Sequence, residues 1–361
     1  MTRRKMMLSA AGLFTIIAVF FLNSCAPRYE LTVTGLSGGS VSIEPSGGAY
    51  KEGEVVTLTA IPDSGHSFTG WGNISNFSAD NEIGREVEII MPAENLDISV
   101  NFSIPSDGWT FMVYMAGDNS LSNQVYYDLD EIEQGLYDAV QAGNSFLAED
   151  VQVLVLTDRS GSDDTKLFRV LPDSDNTEIV SSVIEYGNYS SSSELNMADP
   201  DTLQDFVSYG FAKYPSQYNA LVLWNHGGGV KSLDNSELIS KEICEDVIDG
   251  EKDYLYLNEV QSAVAAALGN GKLDILGIDA CIMGEVETAY QMKDIADYFV
   301  ASMALEWGAG WGYEHIFNNF SSAGNPPEPP ELADILVSQF YYSTKGISNI
   351  YPNTMTAVDT A

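Results

Sequence analysis

Basic residues are scarce: 16 Lys and Arg stand against 52 Asp and Glu, a formal net charge of −36. Such a surface repels nucleic-acid phosphates and anionic lipid headgroups, which argues against a nucleic-acid partner. It attracts cations and basic peptides. Histidine and cysteine are scarcer still, at three each. His66, His226, His315, Cys25, Cys244 and Cys281 are scattered without ligand spacing, so no residue is assigned to a metal. Three cysteines are too few for a disulfide framework. Long apolar runs are limited to Leu8–Leu22; no other stretch could span a bilayer. The Asp-rich stretches Gly161–Asp164 and Asp173–Asn176 lack EF-hand spacing and read as solvated turns.

What is present begins with a processing signal over residues 1–24. Arg3, Arg4 and Lys5 precede the apolar run, and Asn23-Ser24-Cys25 follows it. Leu22-Asn23-Ser24-Cys25 resembles a bacterial lipobox. That resemblance implies cleavage before Cys25 and acylation of its thiol and its new amine. Several acyl chains together make a stable membrane anchor, where a single one does not. Ala26 is not an acid, which in Gram-negative sorting is compatible with the outer membrane. The expected location is therefore exported, on the outer membrane or cell surface. With Cys25 taken by lipid, Cys244 and Cys281 either pair or leave a reactive thiol.

Residues 29–103 read as all-β. Leu31–Thr34, Ser40–Ile43, Val55–Ala60, Val87–Ile90 and Ile98–Phe102 are short strands between Gly and Pro turns. Gly38-Gly39-Ser40-Val41, Gly47–Tyr50, Gly53–Leu58, Gly70-Trp71 and Met91-Pro92 resemble the divergent internalin B-type repeat. The resemblance implies a spacer or adhesion module without chemistry, with His66 and Trp71 in its core or turns.

Ile104–Gly108 reads as a linker, and residues 108–361 as a second domain. Phe111–Met115, Val151–Leu156, Ala220–Trp224, Leu273–Ile278 and Phe299–Ala301 are apolar runs of strand length. Residues 122–142, 257–268 and 285–296 carry helical periodicity between them. Doubly buried strands alternating with amphipathic helices predict an α/β fold, a mostly parallel sheet flanked by helices. Residues 158–194 are polar and read as an excursion from the sheet, with a hairpin at Lys166–Leu171. Thr354–Val358 reads as a further strand and Asp359-Thr360 as a helix cap, so a longer domain is expected to continue past the end.

In such a sheet, ligands bind beyond the carboxyl ends of the strands. Ala220–Trp224 runs into Asn225-His226-Gly227-Gly228-Gly229, and Leu273–Ile278 runs into Asp279-Ala280-Cys281. One His and one Cys thus emerge at the same sheet edge. A thiolate is the nucleophile of cysteine chemistry, and an imidazole within reach can take the thiol proton and later protonate a leaving amine. The glycines after His226 allow close backbone approach, and their N–H groups suit a developing oxyanion. Met283-Gly284-Glu285-Val286 reads as the start of a helix whose N-terminus would favour a thiolate at Cys281.

These segments resemble the clostripain family, within the clan of caspases, gingipains and legumain. Tyr114–Asn119 and Gly308-Ala309-Gly310-Trp311-Gly312-Tyr313 extend the likeness over residues 108–361. The resemblance implies a caspase-like sheet and a cysteine endopeptidase acting on protein or peptide substrates. It makes His226 the base and Cys281 the nucleophile, with the backbone of Gly227 and Cys281 as oxyanion hole. Asp279 matches an acid of the pocket for the residue before the scissile bond, and cleavage after basic residues follows. The family's acid inside the Gly-x-Gly-Trp loop is Ala309 here, and Glu306 is the candidate substitute. No third residue is needed to orient His226. No cofactor is required, and calcium is compatible with the chemistry. Self-cleavage near Lys231, Lys241 or Lys252 is a family habit. The competing reading is an inactive surface-binding lipoprotein scaffold.

Overall fold

The computed structural model describes residues 27–74, 84–144, 146–185, 189, 194–228, 242–248, 250–269, 271–321, 324–347 and 354–360. Cys25 and the lipobox lie outside the described residues. No described helix is long and apolar enough to cross a membrane.

Among the described residues the N-terminal module has seven strands: β1 (Arg28–Thr34), β2 (Gly39–Glu44), β3 (Ala49–Lys51), β4 (Val55–Pro62), β5 (Ser67–Gly72), β6 (Glu86–Ile90) and β7 (Leu96–Ser103). They form two sheets, β3-β1-β7-β5 and β2-β4-β6. Alternation turns Val56, Leu58, Ala60, Val87 and Ile89 inward, where they meet Leu31, Ile98 and Trp71 in one core. Trp71 is buried and its indole N–H reaches the Gly84 carbonyl at 2.9 Å. The next strand, β8 (Ser106–Gly117), starts at Ser106, so the expected linker is shorter than Ile104–Gly108. Ser106 already pairs with Ser216, which draws it into the sheet.

The remaining elements are α1 (Gln124–Gln141), α2 (Phe146–Glu149), β9 (Val151–Arg159), β10 (Lys166–Arg169), β11 (Ser182–Val183), α3 (Pro200–Lys213), β12 (Ser216–Trp224), β13 (Glu242–Ile248), β14 (Glu251–Tyr256), α4 (Leu257–Leu268), β15 (Leu273–Asp279), α5 (Val286–Met292), β16 (Ala296–Ala301), α6 (Tyr313–Asn318), α7 (Pro329–Thr344) and β17 (Thr356–Asp359). Eight strands form one sheet in the order β11-β10-β9-β8-β12-β15-β16-β17. The five strands from β9 to β16 run parallel, and β10, β11 and β17 are antiparallel edges.

One expectation changes here. Residues 158–194 do not simply leave the sheet, because β10 folds back on β9 with Phe168 opposite Val155. Asp359 ends β17 opposite Tyr298, and the Thr360 hydroxyl donates to the Ala296 and Asp297 carbonyls.

Side chains of β8 alternate between two cores. Met112 and Tyr114 meet Leu203 and Phe206 of α3 and Val260 of α4 on one face. Phe111, Val113 and Met115 meet Leu129 and Ile132 of α1, Phe317 of α6 and Leu336 of α7 on the other. Helix starts follow local chemistry: the Asp199 carboxylate accepts from the Asp201 N–H with Pro200 in the first turn of α3. Glu328 and Glu331 form a capping box before α7.

Candidate active site

The chain starts its parallel sheet in the middle, at β8, adds β9 on one side, and then builds β12, β15 and β16 on the other. The crossover directions diverge between β8 and β12, which opens a crevice beyond their carboxyl ends. Pairing of β12 with β15 is in register as far as Trp224 opposite Asp279. Two residues beyond that pair stand His226 on one strand and Cys281 on the next. Adjacent strands lie about 4.8 Å apart. Both residues line one cavity of about 200 Å³, together with Leu121, Asp279, Glu306 and Gly310.

His226 is exposed, with its Nε2 2.8 Å from Ser120 Oγ at the end of β8. The preceding Asn225 is buried and fixes the turn. Its Nδ2 donates to the Ala116 carbonyl at 2.5 Å and the Glu245 carbonyl at 2.9 Å, tying β8, β12 and β13 together. Its Oδ1 accepts from the His226 N–H. Gly227 then passes so close to the next strand that a Cβ would sit 2.3 Å from the Cys281 carbonyl oxygen. Only glycine fits there. Gly229 lies outside the described residues.

Cys281 is half-buried, unpaired, and its sulfur accepts from the Glu306 N–H at 3.3 Å. Ile282 follows with φ +57°, an outlier for a β-branched residue. It is held by its N–H to the Ala304 carbonyl at 2.9 Å. Such stored strain clusters at functional sites. The expected helix is present, but α5 starts at Val286 with Glu285 as its cap, four residues past Cys281. A helix-terminal field fades within one turn, so it does not act on Cys281. The Gly284 N–H is instead spent on the Ser302 carbonyl at 2.7 Å, which holds this stretch extended.

Asp279 and Glu306 form the cavity's acidic floor. Asp279 accepts from the Trp311 N–H at 3.2 Å and the Tyr313 hydroxyl at 2.9 Å. Gly310, at φ +57°, brings its loop within 3.0 Å of Asp279 Oδ2, measured from a Cβ added there. Both Glu306 carboxylate oxygens are buried and lack a well-formed hydrogen bond, with the Asp279 carboxyl and the Trp311 side chain nearby. Burial, then the Asp279 charge, pushes the Glu306 carboxyl well above the ordinary range. Burial also raises Asp279, against its hydrogen bonds, which lower it. Two acceptors this close are compatible only if they share a proton or receive a cation. Ala309 is exposed on the same loop and offers no charge.

A second hollow of about 140 Å³ lies across His226, between Gly227 and the Glu242, Glu245 and Tyr254 side chains. A larger one, of about 980 Å³ along Tyr126, Tyr127 and Phe168, contains neither His226 nor Cys281. Cys244 is buried in β13, unpaired, and burial pushes its thiol up. The two cysteines therefore form no disulfide. His315 is exposed on α6. Lys252 pairs with Glu245 at 2.5 Å, while Lys231 and Lys241 lie outside the described residues. Sequence reading missed Ser120 and the bracing role of Asn225. Ser120 directly follows the segment Tyr114–Asn119, which carries only a family likeness, and Asn225 stands in the strand-end motif where only His226 and the glycines are given roles.

The sequence profile of the clostripain family matches residues 113–360, and that of the divergent InlB B-repeat domain matches residues 29–106. Clostripain of Hathewaya histolytica is 30% identical over 246 residues, 62% of this chain and 44% of that protein. The chain thus spans less than half the length of that relative. A secreted C11 cysteine protease from Bacteroides thetaiotaomicron, solved with an irreversible peptide inhibitor, is similar in structure with TM-score 0.53 and 26% identity, covering 70% of this chain and 66% of that one. An inactive zymogen C11 protease from Parabacteroides distasonis shares the fold with TM-score 0.51 and 23% identity, covering 72% and 64%. With more than half of its residues matched by one family profile, the chain belongs to the clostripain family.

Proposed function

We propose that the protein is a lipid-anchored cysteine endopeptidase that cuts after basic residues through a Cys281–His226 dyad. The observation that carries this reading is the in-register pair Trp224–Asp279, which sets His226 and Cys281 at equal distances past adjacent strand ends. They share a cavity floored by two carboxyls.

The chemistry follows from that arrangement. Ser120 engages His226 Nε2, so Nδ1 is the nitrogen left to take the thiol proton. The Cys281 thiolate adds to the scissile carbonyl carbon. The oxyanion is received by the backbone N–H groups of Gly227 and Cys281. His226 then protonates the departing amine, leaving an acyl-enzyme. Water, deprotonated by His226, attacks the acyl carbon, and the sulfur leaves and is reprotonated. The cavity is the size of one side chain. A Lys or Arg tip there takes the place of the proton shared by Asp279 and Glu306, its one positive charge meeting both buried carboxylates. Glu306 thus takes the place of the acid that Ala309 lacks.

Anchoring rests on Arg3 to Lys5, the run Leu8–Leu22 and Cys25. The module 29–103 serves as spacer or adhesion unit between anchor and catalytic domain. The test is turnover of a peptide library by the wild type and Cys281→Ala. Cleavage after Lys or Arg, absent in the variant, is expected. Equal turnover by both would remove the assignment and favour the inactive scaffold.

A further inference from the structure

Two acids on α1 have no role in the reaction above, yet each holds part of the cavity beside Cys281. Asp128 and Glu131 lie three residues apart, which makes them neighbours on one side of the helix. Asp128 is 2% exposed, among the core-facing Val125, Leu129 and Ile132. Its Oδ2 accepts from the Trp224 indole N–H at 2.7 Å. Among the described residues no cation pairs with it. A buried carboxyl without a cation is a costly way to satisfy one N–H group. Trp71 and Trp109, away from the cavity, have theirs met by the Gly84 and Pro327 backbone carbonyls.

The second observation is where Trp224 stands. It is opposite Asp279 in the pairing of β12 with β15, so the two side chains leave the same face of the sheet side by side. Both line the cavity. Burial first, then the Asp279 charge, pushes the Asp128 carboxyl well above the ordinary range, and the Trp224 bond opposes them. Glu131 reaches the same acid by another route. Its Oε2 accepts from the Tyr313 N–H at 3.0 Å, and the Tyr313 hydroxyl donates to Asp279 Oδ2 at 2.9 Å. One helix thus fixes the cavity's wall through Trp224 and its floor through Tyr313.

We propose that Asp128 and Glu131 are positioning residues for the cavity that receives the side chain before the scissile bond. The inference rests on the peptidase reading of that cavity. Asp128 acts through Trp224, and Glu131 acts through Tyr313 and Asp279. Neither hydrogen bond reaches His226 or Cys281, so the role is in recognition and not in bond making. What each acid supplies is an acceptor in a fixed place. An amide of the same shape keeps that acceptor and loses only the charge.

The test is steady-state hydrolysis of peptides containing Lys or Arg by the full chain, beside the rate of Cys281 alkylation by iodoacetamide, which needs no occupied cavity. Asp128→Leu should raise KM for the basic peptides about tenfold, the effect of losing one hydrogen bond to an acid. Its kcat and alkylation rate should stay within about threefold of wild type, because only binding is lost. Asp128→Asn should bring KM back to within about threefold of wild type. Glu131 is half-buried, so Glu131→Ala keeps the fold however Asp128→Leu behaves. It should raise KM severalfold, and Glu131→Gln should restore it. Wild-type KM in both Asp128→Leu and Glu131→Ala would overturn the inference. So would kcat and alkylation falling together with a rise in KM, or amides that restore nothing, since packing alone would then explain the losses. These results, with a wild-type preference for Lys or Arg intact, overturn this inference alone. A wild type without that preference would overturn the reading of the cavity and this inference with it.

Discussion

Ser120 Oγ lies 2.8 Å from His226 Nε2, across the divide between β8 and β12. The base is thus held by a hydroxyl from the turn after β8, while the nucleophile comes from the turn after β15. Sequence reading required no such partner. Ser120→Ala should lower kcat/KM by up to about tenfold, the value of one hydrogen bond of roughly 0.5–1.5 kcal/mol. KM should change little, because the imidazole loses only the contact that fixes its tautomer. Ser120 is exposed, so Tm should stay within about 1 °C. Unchanged kinetics would reduce the contact to packing.

The paired acids predict a pH dependence. Glu306 and Asp279 have folded-state values raised above the unfolded ones. Between those values the folded protein binds more protons, so stability falls as pH rises through this window. Glu306→Gln should flatten that fall and raise Tm at neutral pH. The same variant should lose much of the preference for Lys or Arg. In the wild type, KM for a basic peptide should rise as the medium becomes acidic, because protonated acids no longer attract the cation. Measured KM values that are flat with pH, with Glu306→Gln equal to wild type, would remove Glu306 from the pocket's chemistry.

Gly227→Ala tests the close approach of the two loops. The added Cβ would meet the Cys281 carbonyl oxygen at 2.3 Å. That contact cannot persist, so the His226 loop must retreat. A stability cost of about 1–3 kcal/mol is expected. A misplacement on the order of 1 Å should cost activity about a hundredfold. Denaturation midpoints and peptide turnover on the purified variant check both values.

Cys25→Ala should abolish partitioning into the detergent phase and leave peptide turnover in the aqueous phase intact. Full partitioning of the variant would assign the anchor to something other than lipid.

Much of this organisation is legible in the sequence because burial on both faces forces strands into unbroken apolar runs. Phe111–Met115 and Leu273–Ile278 fall inside β8 and β15 for that reason. The helix α3 went unread although Asp199-Pro200 marks its start and Leu203, Phe206 and Val207 its buried face. It lies next to the polar stretch taken as an excursion, which masked its period. β10 is four residues long and paired by long-range contact, so local pattern says little about it. The strand-end positions of His226 and Cys281 were readable because each motif is contiguous. The Ser120 contact spans 106 residues. No spacing rule reaches across such a distance; only the register of β8 with β12 brings the two residues together.

The most direct measurement is intact-mass and peptide mapping after exposure to a peptidyl electrophile that carries lysine next to its reactive carbon. One adduct should form, on Cys281, and none on Cys244, which is buried and whose thiol is held protonated. His226→Ala should slow labelling by on the order of 10²–10⁴-fold. An adduct on another residue, or equal labelling rates in wild type and His226→Ala, would contradict the Cys281–His226 dyad.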